Sequence, residues 1–178
     1  MIEIFQESLE KLQKSSAKIS LKLLRDCISQ FQTIVLSPEN AHELSVFSGD
    51  FKEILNAAKK SKHKEIIKKI LVVGEQFYSR LCNFEDEDDF IDDLTEVYHQ
   101  LGQLYFSQHK YRYSKKYFLL ALEGYQLLIN VDKHYPNLIE SYKENIIKIC
   151  ATLNELYKLQ GKQFDIGCEF PRLANFLN

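Results

Sequence analysis

The chain has 178 residues, 45% of them apolar and 27% charged, with a net charge of −2. Six glycines and three prolines cannot supply the closely spaced turns of a sandwich or barrel, and no short Val/Ile-rich run bounded by glycine offers a parallel strand. The expected fold is therefore all-α. The near-neutral charge gives no global field toward nucleic acid or anionic lipid, and no apolar run reaches the roughly 18 residues of a membrane span.

At the N-terminus, Ile2, Phe5, Leu9 and Leu12 repeat on one helix face over residues 2–14, while Glu3 and Glu7 interrupt any signal-peptide core. A second helix is expected over 17–36, broad-faced through Leu24, Ile28, Phe31 and Val35 with Ile19, Leu23, Cys27 and Ile34 beside them. Ser37-Pro38 reads as the N-cap and first turn of a third helix. That helix carries Leu44 and Phe47, breaks near Ser48-Gly49-Asp50, and continues through Phe51, Ile54, Leu55 and Ala58 to about residue 60. A fourth runs over about 62–83, from Ile66 to Leu81. Seven acids then fall within residues 85–93, expected as a solvated loop and the first turn of the next helix, where the dipole favours negative charge. Helices over about 88–109, 113–132 and 137–160 follow, the last striped by Ile139, Tyr142, Ile146, Ile149, Leu153 and Leu156. A tail with Pro171, Leu173, Phe176 and Leu177 is expected to dock as a final turn or two. The whole reads as one domain over 1–178, with N-terminal helices over 1–84, a second group over 88–162 and the tail over 163–178.

An internal repeat runs through the second half. Leu104-Tyr105-Phe106-Ser107-Gln108-His109-Lys110-Tyr111 lies over Leu156-Tyr157-Lys158-Leu159-Gln160-Gly161-Lys162-Gln163 at an offset of 52 residues, the mark of a helical-hairpin array. Tyr98, Leu101-Gly102, Tyr105, Tyr111, Ser114, Phe118 and Ala121, with Asp132 and Pro136-Asn137 after them, make residues 95–128 resemble a tetratricopeptide (TPR) repeat. In such a hairpin Gly102 and Ala121 let the helices approach while Tyr98, Tyr105 and Phe118 fill the gaps. The second copy keeps Leu153, Tyr157 and Gly161 and lacks the helix-B Phe/Ala pair. The resemblance implies about seven or eight helices, stacked as antiparallel hairpins in a right-handed array.

Chemistry-bearing motifs are absent. There is no phosphate loop, dinucleotide fingerprint, zinc-protease pair or nucleophile elbow. No two histidines lie three or four residues apart, and the acidic run lacks the spacing of a calcium loop. No catalytic residue, cofactor or metal is expected. Cys27, Cys82, Cys150 and Cys168 are widely spaced, and three of them sit in apolar stripes. They read as reduced thiols of a cytoplasmic or nuclear protein.

The leading functional expectation is a non-enzymatic protein-interaction module, an adaptor or complex subunit with a protein partner. With Tyr98, Leu101, Gly102 and Tyr105 committed to the hairpin, Glu96, His99, Gln103 and Phe106 share a neighbouring, exposed face, and Lys148 and Glu155 match it in the second copy. These six are the candidate partner-binding residues. TPR domains that clamp a carboxylate tail place Lys and Asn where this chain has His99 with Gln103 and Ala151 with Glu155, so that mode is disfavoured. Among six tyrosines in residues 98–125, Tyr113, Tyr117 and Tyr125 are surplus to the hairpin and are candidate interface anchors. The alternative is a nucleic-acid-associated protein using Lys59, Lys60, Lys62, Lys64, Lys68 and Lys69. That run contains no Arg or aromatic for phosphate forks or base stacking, so a solvated face is the plainer reading.

Overall fold

The structure, a computed structural model, describes residues 2–14, 20–37, 44–84, 88–131 and 134–177. Among these the fold is all-α, with nine α-helices and no strand. The proposed helix start at Pro38, Ile19 of the second stripe, the loop acids Glu85-Asp86-Glu87 and Asp132 lie outside the described residues. Internal packing divides the chain into two compact units, Met1–Glu87 and Asp88–Asn178.

The first unit contains α1 (Ile2–Lys14), α2 (Leu21–Leu36), α3 (Ser48–Ser61) and α4 (Lys64–Phe84). Ser20 caps α2, its hydroxyl accepting from the Leu23 N–H at 3.4 Å. The break expected near Ser48 is a change of helix type, from a 3₁₀ turn over 44–47 to α3. The apolar stripes converge on a ring cluster. Phe5 lies 5.7 Å from Phe31, Phe31 5.3 Å from Phe77, and Phe51 5.9 Å from Phe77 and 5.2 Å from Tyr78. These contacts join the start of α1 to the end of α2, and the start of α3 to the end of α4, so successive helices run antiparallel. Gly74 is required here, because a Cβ on it would overlap the Phe51 ring. Arg80 donates to the carbonyls of Val35 and Ser37, satisfying the C-terminal groups that α2 leaves open.

The second unit is built from α5 (Asp88–Ser107), α6 (Tyr111–Val131), α7 (Pro136–Lys158) and two short helices, α8 (Ile166–Glu169) and α9 (Pro171–Leu177). α5 and α6 form a close antiparallel hairpin. A Cβ on Gly102 would sit 2.6 Å from the Phe118 ring, and one on Gly124 would overlap Thr95. The small Ser114 donates its hydroxyl to the Gly102 carbonyl at 2.9 Å. The expected Gly102–Phe118 contact is thus present, but Tyr98 is only half-buried, lying at the hairpin's edge 6.1 Å from Tyr117.

The 52-residue offset runs through this geometry. α5 closes on a left-handed His109 (φ 56°) and α7 is followed by a left-handed Gly161 (φ 66°). The Lys110 N–H donates to the Tyr105 carbonyl and the Lys162 N–H to that of Tyr157, both at 2.9 Å, which is one Schellman closure made twice. Burial repeats with it: Leu101 and Leu153 are both 0% exposed, and Tyr105 and Tyr157 both 7%. At the same offset from Phe118 and Ala121 stand Phe170 and Leu173, both buried. Leu173 stands where the first stretch has the small Ala121, so the Phe/Ala pair itself is not reproduced. Pro171, which removes a backbone donor, begins α9 between Phe170 and Leu173, so this stretch forms two short helices rather than one.

Candidate functional site

The six candidate residues stand on α5 and α7, on either side of α6. α5 faces α6 along Thr95, His99 and Gly102, one residue per turn. Thr95 meets Gly124 and Gly102 meets Phe118, and His99 lies between them, its ring 6.2 Å from Phe118 and 6.4 Å from Tyr125. His99 is consequently 5% exposed. Its expected place on an open face is corrected: the small and polar residues of α5 form its contact line with α6, and His99 falls in that line.

Burial of a polar ring demands partners. Removal from water pushes the His99 pKa below its ordinary value, the positive charge of Lys148 adds to this, and Glu96 opposes it. In the resulting neutral ring, the Gln103 amide donates to Nε2 at 2.9 Å. The proton then sits on Nδ1 and faces the Tyr125 hydroxyl at 3.5 Å. Tyr125 is buried and hydrogen-bonded to Asn145 of α7; desolvation, then the negative charges of Glu96 and Asp92, push its phenol pKa up against that bond. The result is a neutral polar floor running from α5 across α6 to α7.

Around this floor the exposed residues carry opposite charges. Glu96 and Gln103 are exposed on α5, and Lys148 is exposed on α7 with a 3.5 Å ion pair to Glu144. Glu96 and Lys148 both act on the charge of His99, so the structure brings Glu96, His99, Gln103 and Lys148 into one neighbourhood. Glu155 is exposed on α7 two turns beyond Lys148, further along the same helix than the floor extends. Phe106 also departs from expectation. It is half-buried, packed against the second unit's core with its ring 6.0 Å from Tyr111, and so is partly a core residue. Sequence reasoning missed Tyr125 and Asn145 as floor residues. The 3.6-residue stripe could place Tyr125 inside, but neither partner is legible without the α5–α6–α7 packing.

Of the surplus tyrosines, Tyr117 and Tyr125 are buried. Tyr105 and Tyr117 stack at 5.5 Å with planes 5° apart, and the exposed Tyr113 also stacks with Tyr105, at 5.3 Å. Tyr113 alone of the three remains a surface side chain. All four cysteines are free, and burial pushes the thiols of Cys27 and Cys150 up to about 11. Among the described residues, no group of three or more His, Cys, Asp or Glu side chains could hold a metal ion, and no helix is long and apolar enough to cross a membrane. No family model, curated protein or solved structure matches the chain.

Proposed function

We propose that this chain is a non-enzymatic protein-interaction module, an adaptor or subunit of a larger complex, that binds a partner segment along a TPR-like groove bordered by α5 and α7. The observation that carries this reading is the placing of Glu96 and Lys148, exposed and oppositely charged, in the neighbourhood of the buried His99 and Tyr125, with the exposed Gln103 bonded to His99. Exposed charges on a rigid, internally satisfied floor orient a polar segment without moving the scaffold. Gln103 keeps polar atoms in reach of solvent, and the half-buried Phe106 offers a ring edge one turn further on. The repeated Schellman closures and matched burial at the 52-residue offset support reading α5 and α7 as corresponding first helices of successive hairpins.

The test is affinity purification with mass spectrometry from the native cell. It compares wild type, Glu96→Lys/Lys148→Glu, and a control that reverses the exposed Glu123 on α6. The expected result is that the groove variant loses specific partners that the control keeps, at unchanged helical circular dichroism. Retention of every partner by the groove variant contradicts the assignment.

A further inference from the structure

The first unit gathers cations from separate parts of the chain at one end. Lys69 of α4 donates to Ser29 of α2 at 2.8 Å, and Arg80 reaches Val35 and Ser37 at the end of α2. α2 and α4 therefore run parallel, with their first turns at the same end. α3 runs antiparallel to both and finishes there. This end brings Lys22 and Arg25 of α2 beside Lys59 and Lys60 of α3, Lys62 of the turn and Lys64 of α4. All six are exposed, with Asp26 and Glu65 interleaved among them in sequence, and the end of α1, which also lies here, adds Lys11 and Lys14 paired with Glu7 and Glu10. Among the described residues no ion pair is formed by Lys59, Lys60, Lys62 or Lys64. A chain of net charge −2 thus keeps a locally cationic surface that rests on its side chains alone, since the positive ends of the α2 and α4 dipoles meet the negative ends of α1 and α3 here.

The opposite end of the unit has different chemistry. Its exposed large apolar side chains, Ile4, Leu36 and Val46, lie at the start of α1, the end of α2 and the approach to α3. The cationic end, among the described residues, has no exposed large apolar side chain to insert into a partner and no aromatic to stack on a base. Five of those six cations are lysines, compact point charges without the planar fork that suits bidentate phosphate or base recognition. Helix ends form a broad surface rather than a groove that could follow a strand.

We infer that this lysine-rich end is a peripheral landing surface for an anionic lipid bilayer, held by charge without insertion. Each basic side chain near an anionic leaflet contributes about fivefold in binding, and the attraction decays within a Debye length of about 8 Å at physiological salt.

The experiment is vesicle co-sedimentation of the full chain. It uses phosphatidylcholine vesicles with and without phosphatidylserine, at physiological and at high salt. The variant Lys59→Gln/Lys60→Gln/Lys62→Asn/Lys64→Gln keeps a residue at 62 that accepts the left-handed backbone (φ 58°). Wild type is expected to sediment with the serine-containing vesicles alone, to be released by high salt, and to weaken a few hundredfold in the variant, at about fivefold per lysine. Should that variant fail to fold, Lys22→Gln/Arg25→Gln is expected to weaken binding about 25-fold by the same arithmetic. Failure of wild type to bind anionic vesicles at physiological salt overturns the inference, as does equal binding by folded variants. Binding of an RNA or DNA oligonucleotide or of polyglutamate, with vesicles ignored, overturns it in favour of those partners.

Discussion

The first unit closes around rings that carry no polar atom (Phe5, Phe31, Phe51 and Phe77), whereas the second closes around tyrosines and admits Thr95, His99 and Ser114 to its interior. In the first, the buried Tyr78 hydroxyl is met by Ser48 at 3.4 Å, and among the described residues no charged side chain is fully buried. In the second, His99 lies between Gln103 and Tyr125 and Ser114 bonds the Gly102 carbonyl, beside exposed charges of both signs. An apolar core can be judged by volume alone, since its cost of change is lost burial and a cavity. A core with polar members must also satisfy each donor and acceptor, and residues kept under that constraint mark the place where the scaffold does more than pack. The two units therefore invite different experiments.

The largest expected effect is in the first unit. Phe77 is 0% exposed and touches Phe31, Phe51 and Tyr78, so Phe77→Ala should cost about 3–5 kcal/mol. Hydrogen exchange read by peptide should show protection lost over residues 2–84 with 88–177 unchanged. Equal loss in both would break the separation of the two cores. Next comes the α5–α6 contact, where Gly102→Leu would drive a branched side chain into the Phe118 ring. Overpacking of this kind costs about 1–3 kcal/mol, and thermal melting should register it; an unchanged melting temperature would contradict the close approach.

A smaller effect sharpens the comparison through pH. Burial holds the folded-state pKa of His99 below its ordinary 6.5, so below that pH the unfolded chain takes up the proton first. The stability tied to a neutral His99 is fully present above 6.5 and falls as pH drops from there toward the lowered folded value. His99→Gln, which cannot titrate, should flatten this part of the melting-temperature profile relative to wild type, and an identical slope would show that another group is responsible. The smallest effect runs the other way. Gly49 is helical, and the space a Cβ would take there has no neighbouring atom within 4 Å. Gly49→Ala should therefore stabilise the first unit by about 0.5–1 kcal/mol, seen as a raised urea midpoint.

The helices are legible because most of their inner faces are written in large apolar residues at helical spacing. Ile139, Tyr142, Ile146, Ile149, Leu153 and Leu156 need no tertiary knowledge, and observed α7 ends within two residues of the expected boundary. The line by which α5 meets α6 is harder to read. Gly102 stands out in it, but Thr95 and His99 are polar, and a hydrophobicity pattern assigns such residues to solvent. The same bias hides the floor formed by Tyr125 and Asn145. The burial of Phe170 and Leu173 at the 52-residue offset from Phe118 and Ala121 escapes notice because Pro171 splits this stretch into two short helices. The cationic end is half visible: the Lys59–Lys69 run is local, but Lys22 and Arg25 join it only through the parallel packing of α2 and α4.

The groove assignment is tested most directly by site-specific photo-crosslinking in the native cell. A photoreactive phenylalanine analogue is placed singly at Gln103 or Glu155, which face the proposed partner, and at Glu123 or Glu140, exposed positions on α6 and α7 used for comparison. The account predicts a discrete crosslinked adduct from Gln103 and Glu155, with the same partner in both, and none from Glu123 or Glu140. Adducts from Glu123 or Glu140 with none from Gln103 and Glu155 would place the partner elsewhere and contradict the groove.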